Sequence, residues 1–221
     1  MDLGNQLHEV SRWVNSAALE AGRKPKDVSL VAVSKVQPIE KIEAVLRAGH
    51  RVFGENRIKE AKEKWPNLKS KYDGIELHLI GALQTNKVRE AVSLFDVIET
   101  VDRPKLASAL KEEMEQQSVD IPCYIQINTG EESQKSGIYP LEAPDFIAYC
   151  REDLRLRVCG LMCIPPAIEE PALHFSLLRE IAKKAEIKNL SMGMSDDFET
   201  AIQLGATHVR LGTAIFGKRE V

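Results

Sequence analysis

The chain has 221 residues, 43% hydrophobic and 29% charged, which is enough to bury one sizeable core and far from the composition of a disordered segment. Its formal net charge of -3 comes from interspersed Lys and Glu, which excludes the single-sign field that holds nucleic acid or an anionic membrane. No run approaches the ~20 apolar residues of a bilayer span, and the first residues lack the basic stretch and unbroken apolar core of a signal peptide, so a cytoplasmic protein is expected.

Leu3, Leu7, Val10, Val14 and Leu19 recur at helical spacing and predict an amphipathic helix over residues 1–22, ending near Gly22. Beyond it, short apolar runs alternate with charged helical stretches. The runs are VSLVAVSK (28–35), HRVFGEN (50–56), ELHLIG (76–81), FDVIETV (95–101), CYIQIN (123–128), LRVCGLMCI (156–164), NLSMGM (189–194) and HVRLG (208–212), eight strand candidates in all. Polar and proline punctuation predicts helices near 38–48, 57–65, 85–92, 103–118, 140–151, 170–186 and 196–204.

Strict β/α alternation argues for a parallel sheet, and eight repeats suit closure into a single (β/α)8 TIM barrel with an extra N-terminal helix. An open doubly wound sheet is the competing architecture. No linker or low-complexity segment divides the chain, so residues 1–221 are read as one domain. Cys123, Cys150, Cys159 and Cys163 lie in or beside apolar runs without a CxxC pair, and read as reduced, buried thiols.

In a parallel barrel, ligands sit at the carboxyl ends of the strands. Those ends carry Lys35 after the first strand, Glu55 and Asn56 after the second, Gln84 and Asn86 after the third, and Asn128 after the fifth. Ser195 follows the seventh, and Gly212 with Thr213 follows the eighth.

Side chains alternate along a strand, so Lys35 shares its face with Val33, Val31 and Ser29 while Leu30 and Ala32 face the other way. If the first face lines the barrel, the ammonium sits inside its mouth. It then either snorkels to solvent or serves as an imine-forming lysine, because burial disfavours the charged form and supplies the neutral amine that attacks an aldehyde.

Ser195 stands at a strand-to-helix junction. It either caps the helix or donates its hydroxyl to a phosphate there, and Asp196 and Asp197 read as helix caps. In HVRLGTAIFG (208–217), Gly212 permits close backbone approach and Thr213 adds a hydroxyl, so this loop suits an anion beside the seventh-strand serine. Arg210 shares the face of Gly212 and His208; it either makes a structural ion pair or meets the ring that the phosphate carries.

Together VAVSK (31–35), FGEN (53–56), HLIGALQTNK (78–87), GLM (160–162), SMGMSDDFETAI (191–202) and GATHVRLGTAIFG (205–217) closely resemble the YggS/PROSC family, the pyridoxal phosphate homeostasis proteins. The resemblance runs from the first helix almost to the last residue. It implies a barrel like the N-terminal domain of alanine racemase, that is, fold type III of the pyridoxal 5'-phosphate (PLP) enzymes without the C-terminal β domain. It also implies PLP held covalently, with Lys35 matching the aldimine lysine, Ser195, Gly212 and Thr213 matching the phosphate cradle, and Arg210 matching the arginine that faces the pyridine nitrogen. Asn56 matches a polar residue beside the ring, and His78 either lines the pocket or is a hydrogen-bonded barrel histidine; Glu55, Gln84 and Asn86 receive no chemical role.

A guanidinium only donates, so Arg210 favours an unprotonated pyridine nitrogen and makes the ring a poorer electron sink than an aspartate partner would. In alanine racemase the second acid/base comes from a further C-terminal domain, whereas this chain stops at Val221, a few residues beyond the phosphate loop. The expectation is a PLP-binding protein of vitamin B6 and amino-acid homeostasis without substantial turnover of its own. The rivals are a racemase-like PLP enzyme and a PLP-responsive regulatory module that binds a protein partner. Apo-enzymes that use PLP, or a regulatory protein, are the expected partners, and monomer and weak homodimer are both compatible with the sequence. Two stretches depart from the common pattern: Val36-Gln37 after the lysine, and Arg57-Ile58-Lys59, which replaces an aromatic near the mouth.

Overall fold

The computed structural model describes residues 2–217. Helix α1 (Leu3–Glu20) opens the chain, capped by the Asp2 carboxylate, which accepts the Gly4 N–H at 2.9 Å. Eight strands follow: β1 (Ser29–Val33), β2 (Val52–Glu55), β3 (Glu76–Leu79), β4 (Val97–Val101), β5 (Cys123–Ile127), β6 (Val158–Cys163), β7 (Asn189–Ser191) and β8 (His208–Leu211). Each pairs in parallel with the next and β8 returns to β1, so the sheet closes into a TIM barrel and the open-sheet alternative is overturned.

Helices α2 (Ile39–Arg47), α3 (Ile58–Lys71), α4 (Val88–Leu94), α5 (Pro104–Gln117), α6 (Ala143–Ala148), α7 (Pro171–Lys184) and α8 (Phe198–Gln203) connect the strands, and a short turn, α9 (Thr213–Phe216), follows β8. Among the described residues no helix is long and apolar enough to cross a membrane.

Alternation along the strands divides the interior in two. Leu30, Ala32, Phe53, Leu77 and Ile98 face outward and pack with Trp65, Leu106 and Phe175 of the helices. Inside the barrel, Val97, Tyr124 and Met162 form a small apolar cluster. The interior also buries polar groups, among them His78, Glu99, Ser191 and Arg210.

Three local outcomes differ from the sequence expectation. Helix α3 runs through Pro66 to Lys71 instead of stopping at 65. The missing amide bond falls on the exposed side of the helix, while Ala61, Trp65 and Leu68 stay buried below it, so packing overrides the break. Helix α6 passes into a π-turn over Tyr149–Asp153. Leu19 is 63% exposed, and Ala17 and Ala18 take its place on the buried face of α1.

Small residues there let α1 lie close to α2, α8 and α9. Its Gln6 side chain donates to the Ala214 carbonyl at 2.9 Å. Just beyond the helix, Arg23 donates to the carbonyls of Ile202 and Ala206 at 3.0 and 2.6 Å. The N-terminal segment thus braces the last two β/α units, which carry the loops at the carboxyl ends of β7 and β8.

Candidate functional site

Strand register assembles the site. Val31 pairs with Arg210 and Ala32 with Leu211, which sets Val33 beside Gly212 at the barrel mouth. On the other side Val33 pairs with Gly54, and the Ser34 amide donates to the Gly54 carbonyl at 3.0 Å, which sets Lys35 near Asn56. The Arg210 amide in turn donates to the Gly193 carbonyl at 2.9 Å, tying β8 to the loop that carries Ser195.

One cavity of about 240 Å³ results, lined by Lys35, Asn56, Ser195, Arg210, Gly212 and Thr213 together with Val33, Ile80, Ile164 and others. All six residues singled out from sequence therefore meet in one place. The hydroxyls of Thr213 and Ser195 lie 3.3 Å apart, the first donating to the second, although they come from loops after different strands. Lys35 is half-buried, whereas strand residues 30–33 before it are buried.

The Ser195 loop depends on Gly193, whose φ of +93° is left-handed and where an added Cβ would stand 2.6 Å from that of Ala201. Gly212 has an ordinary φ of -114°, and an added Cβ there would meet Val33 at 3.4 Å, so its role is close approach rather than a special turn. Helix α8 starts at Phe198, beyond both aspartates. Asp197 does not cap it by a side-chain bond; its carboxylate accepts the Met194 N–H at 2.6 Å and braces the loop, while Asp196 lines the cavity.

Two polar clusters hold the cavity walls. Behind Arg210, the guanidinium donates to Ser191 Oγ at 2.7 Å and to the Cys163 carbonyl at 2.8 Å. Ser191 donates to Glu99 Oε2 at 2.5 Å, and Glu99 Oε1 lies 2.6 Å from His78 Nδ1. His78 Nε2 lies 2.8 Å from Glu76, which is half-exposed at the opposite end of the barrel. Burial acts to lower the pKa of His78, but hydrogen bonds and charge from Glu76 and Glu99 outweigh it and raise the value to about 9. Burial likewise acts to raise Glu99, and His78, Arg210 and Ser191 outweigh it, bringing the carboxyl to about 2.

His78 is therefore the hydrogen-bonded barrel histidine of the two readings. Glu99 and Ser191 were missed as site residues. The signal was an acid inside the apolar strand VIETV, which in a packed interior demands a charged partner.

Beside Lys35, Glu55 is fully buried and accepts from Ser34 Oγ at 2.8 Å and from Trp65 Nε1 at 3.2 Å. Lys64 donates to the Ser34 carbonyl at 3.2 Å and to Glu60, whose Oε1 also accepts the Val36 N–H at 2.5 Å. Glu55, given no chemical role from sequence, thus orients the residue before the lysine.

Asn56 Oδ1 is buried beside the cavity that Asn56 lines and has no hydrogen-bond partner among the described residues, an acceptor that a ligand donor would satisfy. A larger groove of about 790 Å³ adjoins the site through Asn56 and is lined by Arg57, Lys59 and Gln84 among others. Its Lys62 and Lys87 both pair with Glu90, at 2.6 and 2.7 Å, so those charges are locally compensated. Of the four cysteines, Cys159 is only half-buried; the others are buried, and burial pushes the Cys150 and Cys163 thiols up to about 12.

Comparison with known proteins agrees with this geometry. The family described as "Alanine racemase, N-terminal domain" matches residues 15–220. The pyridoxal phosphate homeostasis protein of Escherichia coli K12 is 38% identical over 99% of this chain and 97% of its own, and that of Aquifex aeolicus is 35% identical over the whole of both. Among solved structures, PipY of Synechococcus elongatus superposes with a TM-score of 0.85 without PLP and 0.79 with PLP bound, at 31% identity over 97% of this chain and all of PipY. Alanine racemase from Corynebacterium glutamicum, at 19% identity and TM-score 0.71 over 62% of its length, shares the barrel fold. The chain belongs to the YggS/PROSC family of pyridoxal phosphate homeostasis proteins.

Proposed function

We propose that this chain holds PLP as a Schiff base on Lys35, with the phosphate on Ser195, Gly212 and Thr213. In this reading it serves vitamin B6 and amino-acid homeostasis without substantial turnover of its own. The observation that carries the reading is one cavity lined both by the Lys35 amine and by a hydroxyl pair drawn from two loops.

PLP, when bound, supplies an aldehyde and an electron-withdrawing ring. Lys35 would hold that aldehyde covalently through its side-chain nitrogen, the two N–H protons and the carbonyl oxygen being lost as water. Ser195 and Thr213 would donate to the phosphate, Asn56 would offer its buried oxygen to the ring's substituents, and Arg210, which lines the same cavity, would face the ring nitrogen. Because a guanidinium stays protonated, a ring nitrogen facing it would be left without a proton, which would disfavour carbanion chemistry and favour holding over turnover. Among the described lining residues, the proton-exchanging side chains are Lys35 and Asp196, the latter adjacent to the phosphate serine.

Mixing the protein with PLP is expected to give an imine absorbance near the visible edge that borohydride fixes to Lys35. An unchanged band in Lys35→Ala would remove the assignment. Solvent deuterium entering Cα of an amino acid at useful turnover would instead establish the racemase-like reading. Transfer of PLP to an apo-enzyme in the presence of a trap for free PLP tests delivery; transfer no faster than release into solution removes it.

A further inference from the structure

The residue that follows the lysine has a backbone its side chain disfavours. Val36 has φ +62°, and the Gln37 amide donates to the Ser34 carbonyl at 3.1 Å, closing a four-residue turn with Val36 third. That position in a type II turn requires positive φ and takes Gly or Asn; a β-branched residue there is strained. Val36 is 68% exposed, so apolar burial of its side chain does not hold it there.

What holds it is α3. Glu60 Oε1 accepts the Val36 N–H, and Lys64, itself 9% exposed, donates to the same oxygen and to the Ser34 carbonyl. The residues on both sides of Lys35 are thereby tied to one helix. A second hollow of about 210 Å³, the outer one, is lined by Val36, Arg57 and Glu60 and also borders Lys35 and Asn56.

Resting on the reading of Lys35 given above, we propose that Glu60, braced by Lys64, is a positioning residue that locks Val36 in its left-handed turn and so aims Lys35 into the inner cavity. Without the lock the valine relaxes toward ordinary φ, and the lysine stem swings toward the outer hollow. The consequence is kinetic as well as energetic, since an amine aimed at the cavity reacts only in the fraction of molecules whose turn is formed.

The test measures borohydride-fixed label on Lys35 against time, by mass spectrometry, with PLP and with pyridoxal, which lacks the phosphate. Glu60→Ala should slow labelling by both aldehydes about tenfold, the factor that one left-handed residue's penalty gives. Glu60→Gln keeps the accepting oxygen and should stay within about threefold of wild type, and Val36→Asn, which tolerates positive φ, should restore the Glu60→Ala rate to a similar level.

Thermal melting separates a folded variant from an unfolded one. If Glu60→Ala does not fold, Val36→Pro serves instead, because at this exposed position it removes both the N–H and the positive φ and should show the same loss. Wild-type labelling in Glu60→Ala or Val36→Pro, or no recovery with Val36→Asn, would overturn the proposal. A wild-type chain that takes no label at Lys35 would defeat the functional reading itself, a separate result.

Discussion

Glu99 and Arg210 are joined through a single hydroxyl. Ser191 donates to the carboxylate at 2.5 Å and accepts from the guanidinium at 2.7 Å, so one serine orients both charges inside the barrel. A buried arginine needs such compensation, and among the described residues it comes through Ser191 and the Cys163 carbonyl.

Ser191→Ala removes that link and leaves buried charge undercompensated. The expected loss is about 1–3 kcal/mol of stability, read from urea unfolding. If Arg210 faces the ring, the same variant should also shift the absorbance of bound PLP while binding stays stoichiometric; an unshifted spectrum would separate Arg210 from the ring.

His78 makes stability depend on pH. Its folded pKa of about 9 lies above the ordinary 6.5, so the unfolded chain loses its proton first as pH rises. The contribution is complete below pH 6.5 and disappears through about 9. Glu99, depressed to about 2 from 4.5, contributes fully above 4.5 and loses its part only as pH falls toward 2. Unfolding midpoints should therefore fall across the upper window in wild type and much less in His78→Gln; parallel slopes would contradict the buried imidazolium.

Ser195→Ala and Thr213→Ala address the phosphate end. In the proposed reading each deletes one hydrogen bond to a charged group, worth about 1.5–3 kcal/mol, so PLP affinity should drop at least tenfold. Pyridoxal binding should be nearly unchanged, and equal losses for both ligands would place the phosphate elsewhere.

Gly81→Ala tests the wall on the Asn56 side. An added Cβ would stand 2.2 Å from the Asn56 carbonyl oxygen, a distance that forces the backbone of β2's trailing loop to move. The expected cost is about 1–3 kcal/mol in stability, together with weaker PLP retention. Melting temperature and a dialysis half-life check the two effects; wild-type values for both would mean the loop accommodates the methyl freely.

Much of this was legible in residue pattern. The alternation in VAVSK put Val31, Val33 and Lys35 on one face, which strand period alone fixes; that this face lines the barrel was settled only by closure of the sheet. Of the polar strand ends, Lys35, Asn56, Ser195 and Thr213 line one cavity, since a closed parallel barrel brings such ends to one rim, while Gln84 lines the adjoining groove and Asn128 bonds its own loop at Glu132. What escaped was set by contacts distant in sequence. Val36 adopts a conformation that its own chemistry disfavours, and only Glu60, 24 positions along, explains it. Likewise Pro66 reads as a stop until Trp65 and Leu68 are seen to be buried beneath it, and Glu99 reads as an anomaly until His78 and Ser191 are seen around it.

The ring of eight strands also limits how this protein meets others. With β1 hydrogen-bonded to β8, every strand has two neighbours and the barrel presents no edge along which a foreign strand could extend the sheet. Any macromolecule that takes up or senses what the mouth contains must be recognised through loops and the flanks of helices. Recognition then rests on side-chain shape and charge rather than on shared backbone hydrogen bonding, which makes it open to tuning by surface substitutions that leave the barrel untouched.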